Sequence, residues 1–198
     1  MVGAPLLVTE ALVKDAVKSF TPGSAGGRDG LKPQHLKELL FHPSSDLSVT
    51  LTAFVNLVLS GGVPVSIRPY FFGASLIPFV KKGGGIRPIA VGLTLRRLVA
   101  KVAAAAAAVV CAPSLSPRQL GVGVRGGAEA AVHAARRFVC AKPPGCAFVE
   151  LDFQNAFNSL RRDSKLEAVA AACPSLLPFV VSSYSAPSLL WLGDVSLF

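Results

Sequence analysis

Two stretches of the chain hold residue types and spacings that could do chemistry. The first is AFVELDFQNAFNSL, residues 147–160, in which Asp152 stands two residues after Glu150 and five before Phe157. Period-two alternation predicts a buried strand with Ala147, Val149, Leu151 and Phe153 on one face and Phe148, Glu150 and Asp152 on the other. A carboxylate at the end of an apolar strand needs a cation, hydrogen-bond donors or water to offset its lost hydration. The second stretch is KKGGGIR, residues 81–87. Lysine offers a mobile point charge, and arginine a planar fork of donors that matches phosphate oxygens. Lys81, Lys82 and Arg87 on a glycine-tipped loop would together suit a triphosphate. The glycine run is not a Walker loop, because no GxxxxGK[ST] string leads into a helix.

The charge distribution points to the same kind of partner. Lys and Arg number 20 against 11 Asp and Glu, a net charge of +9. No acidic residue lies between Asp46 and Glu129, an interval holding Arg68, Lys81, Lys82, Arg87, Arg96, Arg97, Lys101, Arg118 and Arg125. The rest of the chain is balanced, so this interval carries the whole excess. A field of one sign suits a polyanion such as nucleic acid or a nucleoside triphosphate. With 52% hydrophobic and 16% charged residues in 198, a sizeable core is expected and disorder of the whole chain is not. Cys111, Cys140, Cys146 and Cys173 form no CxxC pair, and His35, His42 and His133 are not at zinc spacing around them, which indicates a reducing compartment. No signal peptide is apparent, and the longest apolar run, residues 102–112, is too short for a bilayer core of about 30 Å, so no membrane is expected.

These residues need elements to position them. Amphipathic helices are predicted over 9–20, from Pro33 with Leu36, Leu39 and Leu40 inward, and over 46–60 with Leu47, Leu51, Phe54, Val55, Val58 and Leu59 inward. Between the first two lies a glycine-rich turn, residues 24–30. Pro64 and Pro69 predict an extended path. Two apolar runs flanking KKGGG predict a β-hairpin over 71–91. A helix is expected over 94–111, capped by Thr94, ended before Pro113 and opening with Arg96 and Arg97. Further helices are expected over 128–139, from a Ser164–Glu167 capping box to Cys173, and over 175–184 with Pro178 in the first turn. A last hairpin is expected around Gly193-Asp194, with Asp194 a turn residue.

Four strings resemble, in order, the polymerase domain of non-LTR (LINE-type) retrotransposons: GRDGL before the second helix, IPFVKKGGGIRPIAV, LRRLVAK followed by GGAE, and LDFQNAFNSL. The last is similar to the first carboxylate motif of the reverse transcriptase palm. The resemblance covers nearly the whole chain and implies an α+β fold. Residues 1–145 would form a fingers-like region around the 71–91 hairpin, and 146–198 the front of a palm that stops before the YxDD hairpin. It implies template-directed transfer of deoxynucleotides onto a primer on RNA or DNA. Asp152 would be the catalytic carboxylate and would hold two Mg²⁺ ions, with the Phe153 carbonyl beside it. Lys81 or Lys82 and Arg87 would grip the triphosphate, Phe157 would stand under the sugar and exclude a 2′-hydroxyl, and Arg96, Arg97 and Lys101 would face nucleic acid. An intracellular, nuclear location follows from the same likeness.

Two ions about 3.5–4 Å apart need several carboxylates, and one Asp cannot hold both. The sequence has no adjacent aspartates and no YxDD string. The expectation is therefore a polymerase portion inactive alone, lacking the rest of the palm and the thumb. The alternatives are a non-catalytic nucleic-acid-binding module and a decayed remnant.

Overall fold

The computed structural model describes residues 4–42, 46–154 and 156–197. The side chains of Phe157 and Asn158 lie outside the described residues. Apolar spacing of the helical period builds the core. Helix α1 (Glu10–Lys18) turns Val13 and Val17 inward, and α2 (Pro33–Leu40) turns in Leu36 and Leu40. Helix α3 (Leu47–Leu59) buries Leu51, Val55, Val58 and Leu59, while Leu47 and Phe54 pack partly against the same cluster. Leu39, expected inward, is exposed. An eight-residue helix packs along one narrow stripe, and Leu36 and Leu40 fill it.

Instead of an extended path through the prolines, the chain makes a short helix, α4 (Arg68–Phe71). Pro69 sits in its first turn, where a missing N–H costs nothing. Arg68 braces this corner by donating from Nε to the Val63 carbonyl at 2.9 Å and from Nη1 to Ser185 Oγ at 3.2 Å.

Strands β1 (Ala74–Val80) and β2 (Ile86–Gly92) form the expected antiparallel hairpin, in a register that pairs Phe79 with Arg87 and Val80 with Ile86. Its tip closes through Lys81 N–H to the Gly85 carbonyl at 3.1 Å and Gly84 N–H to the Lys81 carbonyl at 3.0 Å. Gly84 and Gly85 have φ of 86° and 83°, which L side chains rarely adopt.

Helix α5 (Thr94–Leu115) follows. Thr94 is its first residue and not a cap: it is buried, and its hydroxyl donates to the Leu31 carbonyl. The helix also runs through Pro113. The carbonyl that Pro113 leaves without its usual partner belongs to Val109, which is exposed, so water can satisfy it. Leu98, Val99, Val102 and Ala103 fix the N-terminal half of α5 in the core. Its 22 residues make it the one described helix long and apolar enough, by length and composition alone, to cross a membrane.

Helix α6 (Gly127–Ala141) buries none of its side chains. The segment after it departs from expectation. Residues 146–153 form no strand, and Val149, Leu151 and Phe153 are 71%, 73% and 72% exposed. Alternation in a sequence assigns faces but supplies no neighbour, and a strand is held by its ladder. Both sides of β1 are taken, by β2 and by β3 (Leu190–Leu192), and the stretch adds to neither outer edge of the sheet.

After α7 (Ala156–Ser159), helix α8 (Arg162–Ala172) starts ahead of the expected capping box. Ser164 therefore lies inside it, and Asp163 Oδ1 accepts the Ser164 N–H at 2.8 Å. A 3₁₀ turn (Pro174–Leu176) leads into α9 (Leu177–Tyr184). Strand β3 then pairs parallel to β1 through Ala74–Leu190 and Ser75–Trp191, and antiparallel to β4 (Val195–Ser196) across the Gly193-Asp194 turn. The result is a mixed α+β architecture with a small mixed sheet of order β2-β1-β3-β4. One apolar cluster joins α1, α2, α3 and α5 to Cys173 and Leu176 from the C-terminal third.

Candidate nucleic-acid interface

The hairpin holds its cations away from protein partners. Lys81, Lys82 and Arg87 are exposed, and among the described residues none of their side chains is hydrogen-bonded or ion-paired. Arg87 shares a face of the ribbon with Phe79, opposite it, and with Ile77 and Ile89, because paired residues and every second residue along a strand point the same way. Three exposed apolar neighbours beside a guanidinium fit a ligand that is flat in part and anionic in part.

Where β2 runs into α5, Ala25, Ile89–Gly92, Arg96, Arg97 and Ala100 enclose a cleft of about 490 Å³. Gly92 makes room for Arg96: a Cβ there would lie 2.6 Å from Arg96 Nη1. Arg97 is pinned, donating from Nη1 to the Ala25 carbonyl at 2.6 Å while its guanidinium lies 5.3 Å from the centre of the Phe20 ring. Lys101, one turn on, lies over the same ring at 5.1 Å. Phe20, Arg97 and Lys101 line a second cleft of about 420 Å³, so Arg97 divides the two. Cations over an aromatic face are held by its quadrupole and keep their outward sides free. Phe20 was not among the expected site residues. Its position, ending the apolar stripe of α1 beside Thr21-Pro22, reads from sequence as core alone.

The glycine-rich turn at 24–30 is the clamp of this arrangement. Gly27 packs on the β2–α5 junction so closely that a Cβ would lie 2.7 Å from Leu93 Cα. Arg28 donates to the Gly193 carbonyl at 2.9 Å, pairs with Asp194 at 3.5 Å and lies over Trp191 at 5.3 Å. Asp194 thus serves the turn and an ion pair across the molecule.

Asp152 lies between α6 and α7 in the chain. It is exposed, on the irregular 146–153 segment, without a hydrogen bond or ion pair among the described residues. Phe153 is equally open, and the Phe157 side chain lies outside the described residues. On the same segment, the Phe148 ring pairs with Phe138 of α6, 6.1 Å between centres. Among the described residues no three His, Cys, Asp or Glu side chains come together. The structure therefore brings Arg96, Arg97 and Lys101 together beside the stem of the hairpin, and joins Asp152 to none of them by a bond. No family model matches the sequence, and no curated protein matches it.

Proposed function

We propose that this chain is the fingers and front-of-palm portion of an RNA-directed DNA polymerase of the non-LTR retrotransposon kind, in which the β1–β2 hairpin meets the incoming nucleotide and the start of α5 meets the template. The observation that carries the reading is the hairpin itself: a glycine-tipped ribbon presenting Lys81, Lys82 and Arg87 unpartnered, with Arg96 and Arg97 along the cleft at its base. The order of the resembling strings along the chain adds to it. In this reading Asp152 is the one catalytic carboxylate that the chain offers, the Phe153 carbonyl lies beside it, and Phe157 bounds the sugar pocket. Bound Mg²⁺ would supply charge stabilisation at the transferring phosphoryl group, with further carboxylates from elsewhere.

The test is primer extension by this chain joined to a segment that supplies a twin-aspartate motif. Asp152→Asn should abolish extension, and Phe157→Val should raise ribonucleotide use relative to deoxynucleotide. Near-normal extension by Asp152→Asn removes that residue from the reaction, and an unchanged sugar preference makes Phe157 a packing residue.

The exposed position of Asp152 on an irregular segment favours a second reading, a nucleic-acid-binding module without catalysis. Tight, salt-sensitive binding with no extension in the joined protein would select it.

A further inference from the structure

Arg96 also lines a smaller cavity of about 190 Å³, which has no β2 residue in its walls. Five parts of the chain meet there: Arg96 and Ala100 from α5, Arg162 at the start of α8, Phe179, Val180 and Tyr184 from α9, Ser188 before β3, and Phe72. No carboxylate is among its walls. Among the described residues Arg96 has no hydrogen bond and no ion pair. Arg162 uses Nη1 on the Tyr184 carbonyl at 3.3 Å and leaves its other nitrogens free. Neither the Tyr184 nor the Ser188 hydroxyl is hydrogen-bonded among the described residues. Lys165 stands 4.1 Å from the centre of the Tyr184 ring and adds a third positive charge next to the cavity.

A half-buried guanidinium such as that of Arg96, without a counter-charge, is costly unless something anionic completes it, and the exposed Arg162 in the same wall adds a second positive charge. Whole nucleotides and cofactors occupy pockets of roughly 300–1,000 Å³, so a cavity of this size suits a smaller group. We propose that the cavity between α5, α8 and α9 is an anion site that takes one phosphoryl group, held by Arg96 and Arg162 with the Tyr184 and Ser188 hydroxyls as further donors. Burial lowers the pKa of Arg96 from its ordinary value, with the nearby Tyr184 acting in the opposite direction, as expected for a guanidinium that lacks its anion. The site does not involve Lys81, Lys82 or Arg87, and it stands whether or not the chain belongs to a polymerase. The phosphoryl group could be free phosphate or a phosphodiester of a nucleic acid, because both present the same oxygens.

The experiment follows thermal unfolding of the full chain at constant ionic strength, exchanging sodium chloride for inorganic phosphate. Phosphate stabilises most proteins by exclusion, an effect that grows without saturating, so the site is read as the difference between the wild type and Arg162→Gln. Arg162 is exposed, and its replacement leaves the core intact. The expected result is a saturable rise in the wild-type melting temperature that Arg162→Gln and Arg96→Met lack and Arg118→Gln keeps. Arg96→Met should melt no lower than wild type in chloride, because it removes an unpaired half-buried charge. A 5′-phosphorylated oligothymidine gives the second arm. If it produces the same difference at far lower concentration, the natural source is a phosphodiester chain; if only inorganic phosphate does, it is the free ion. An equal response of wild type and Arg162→Gln to both probes overturns the proposal.

Discussion

At the scale of single residues, the cations of this chain divide by what holds them. Arg68 is tied to backbone carbonyls and Ser185, and Arg97 to the Ala25 carbonyl and the Phe20 ring. Lys81, Lys82 and Arg87 have no such ties among the described residues, which leaves them available to a ligand. Sequence position alone placed all of these in one acid-free interval and could not tell brace from contact, because that difference depends on which carbonyls the fold brings near. Ser182 poses the opposite case. It is buried, and its hydroxyl has no hydrogen-bond partner among the described residues. An unsatisfied buried hydroxyl costs about 1–3 kcal/mol, so Ser182→Ala should raise unfolding stability by roughly 1 kcal/mol in urea titration. A destabilised variant would mean that the hydroxyl is satisfied in solution.

At the scale of elements, local patterning was a good guide wherever one element's face decides its fate. The periods of α1 and α3, the KKGGG hairpin and the Gly193-Asp194 turn all follow from it. It failed where a distant partner decides. The alternation over 147–153 marks faces, and no described strand pairs there. Thr94 has the chemistry of a cap, yet the Leu31 carbonyl, 63 positions away, claims its hydroxyl. The turn at 24–30 reads as a linker because the contacts that tie it to the rest of the fold are remote: Leu93, Arg97, Gly193, Asp194 and Trp191. Its clamping role yields a contrast between two glycines. Gly27→Ala sets a methyl against Leu93 backbone and should cost about 1–3 kcal/mol. Gly83→Ala, at the hairpin tip with nothing within 4 Å, should be neutral or stabilising by up to about 1 kcal/mol. Equal effects in chemical denaturation would show that the turn does not clamp the β2–α5 junction.

At the scale of the whole molecule, the core lies toward one side of the chain's contents. Helices α1, α2, α3 and the first half of α5 share it with Cys173 and Leu176, while α6 and the 146–153 segment leave Val132, Phe138, Val139, Phe148, Val149, Leu151 and Phe153 exposed. Exposed apolar side chains in this number promote association. Replacing Val149 and Leu151 with Ser should reduce self-association in light scattering, with unfolding stability unchanged within about 0.5 kcal/mol. A large loss of stability would mean that these side chains are packed.

The cationic field has a sharper consequence for the whole molecule, because each phosphate contact adds about 0.7 to the salt dependence of single-strand binding. The decisive measurement is the slope of log affinity against log salt for a primer–template with a single-stranded overhang, in wild type and in the Lys81→Ala/Lys82→Ala/Arg87→Ala variant. If the hairpin grips phosphates, the variant binds more weakly and its slope is shallower by about 2. An unchanged slope and affinity would contradict the assignment of this hairpin to the phosphates of a nucleic acid.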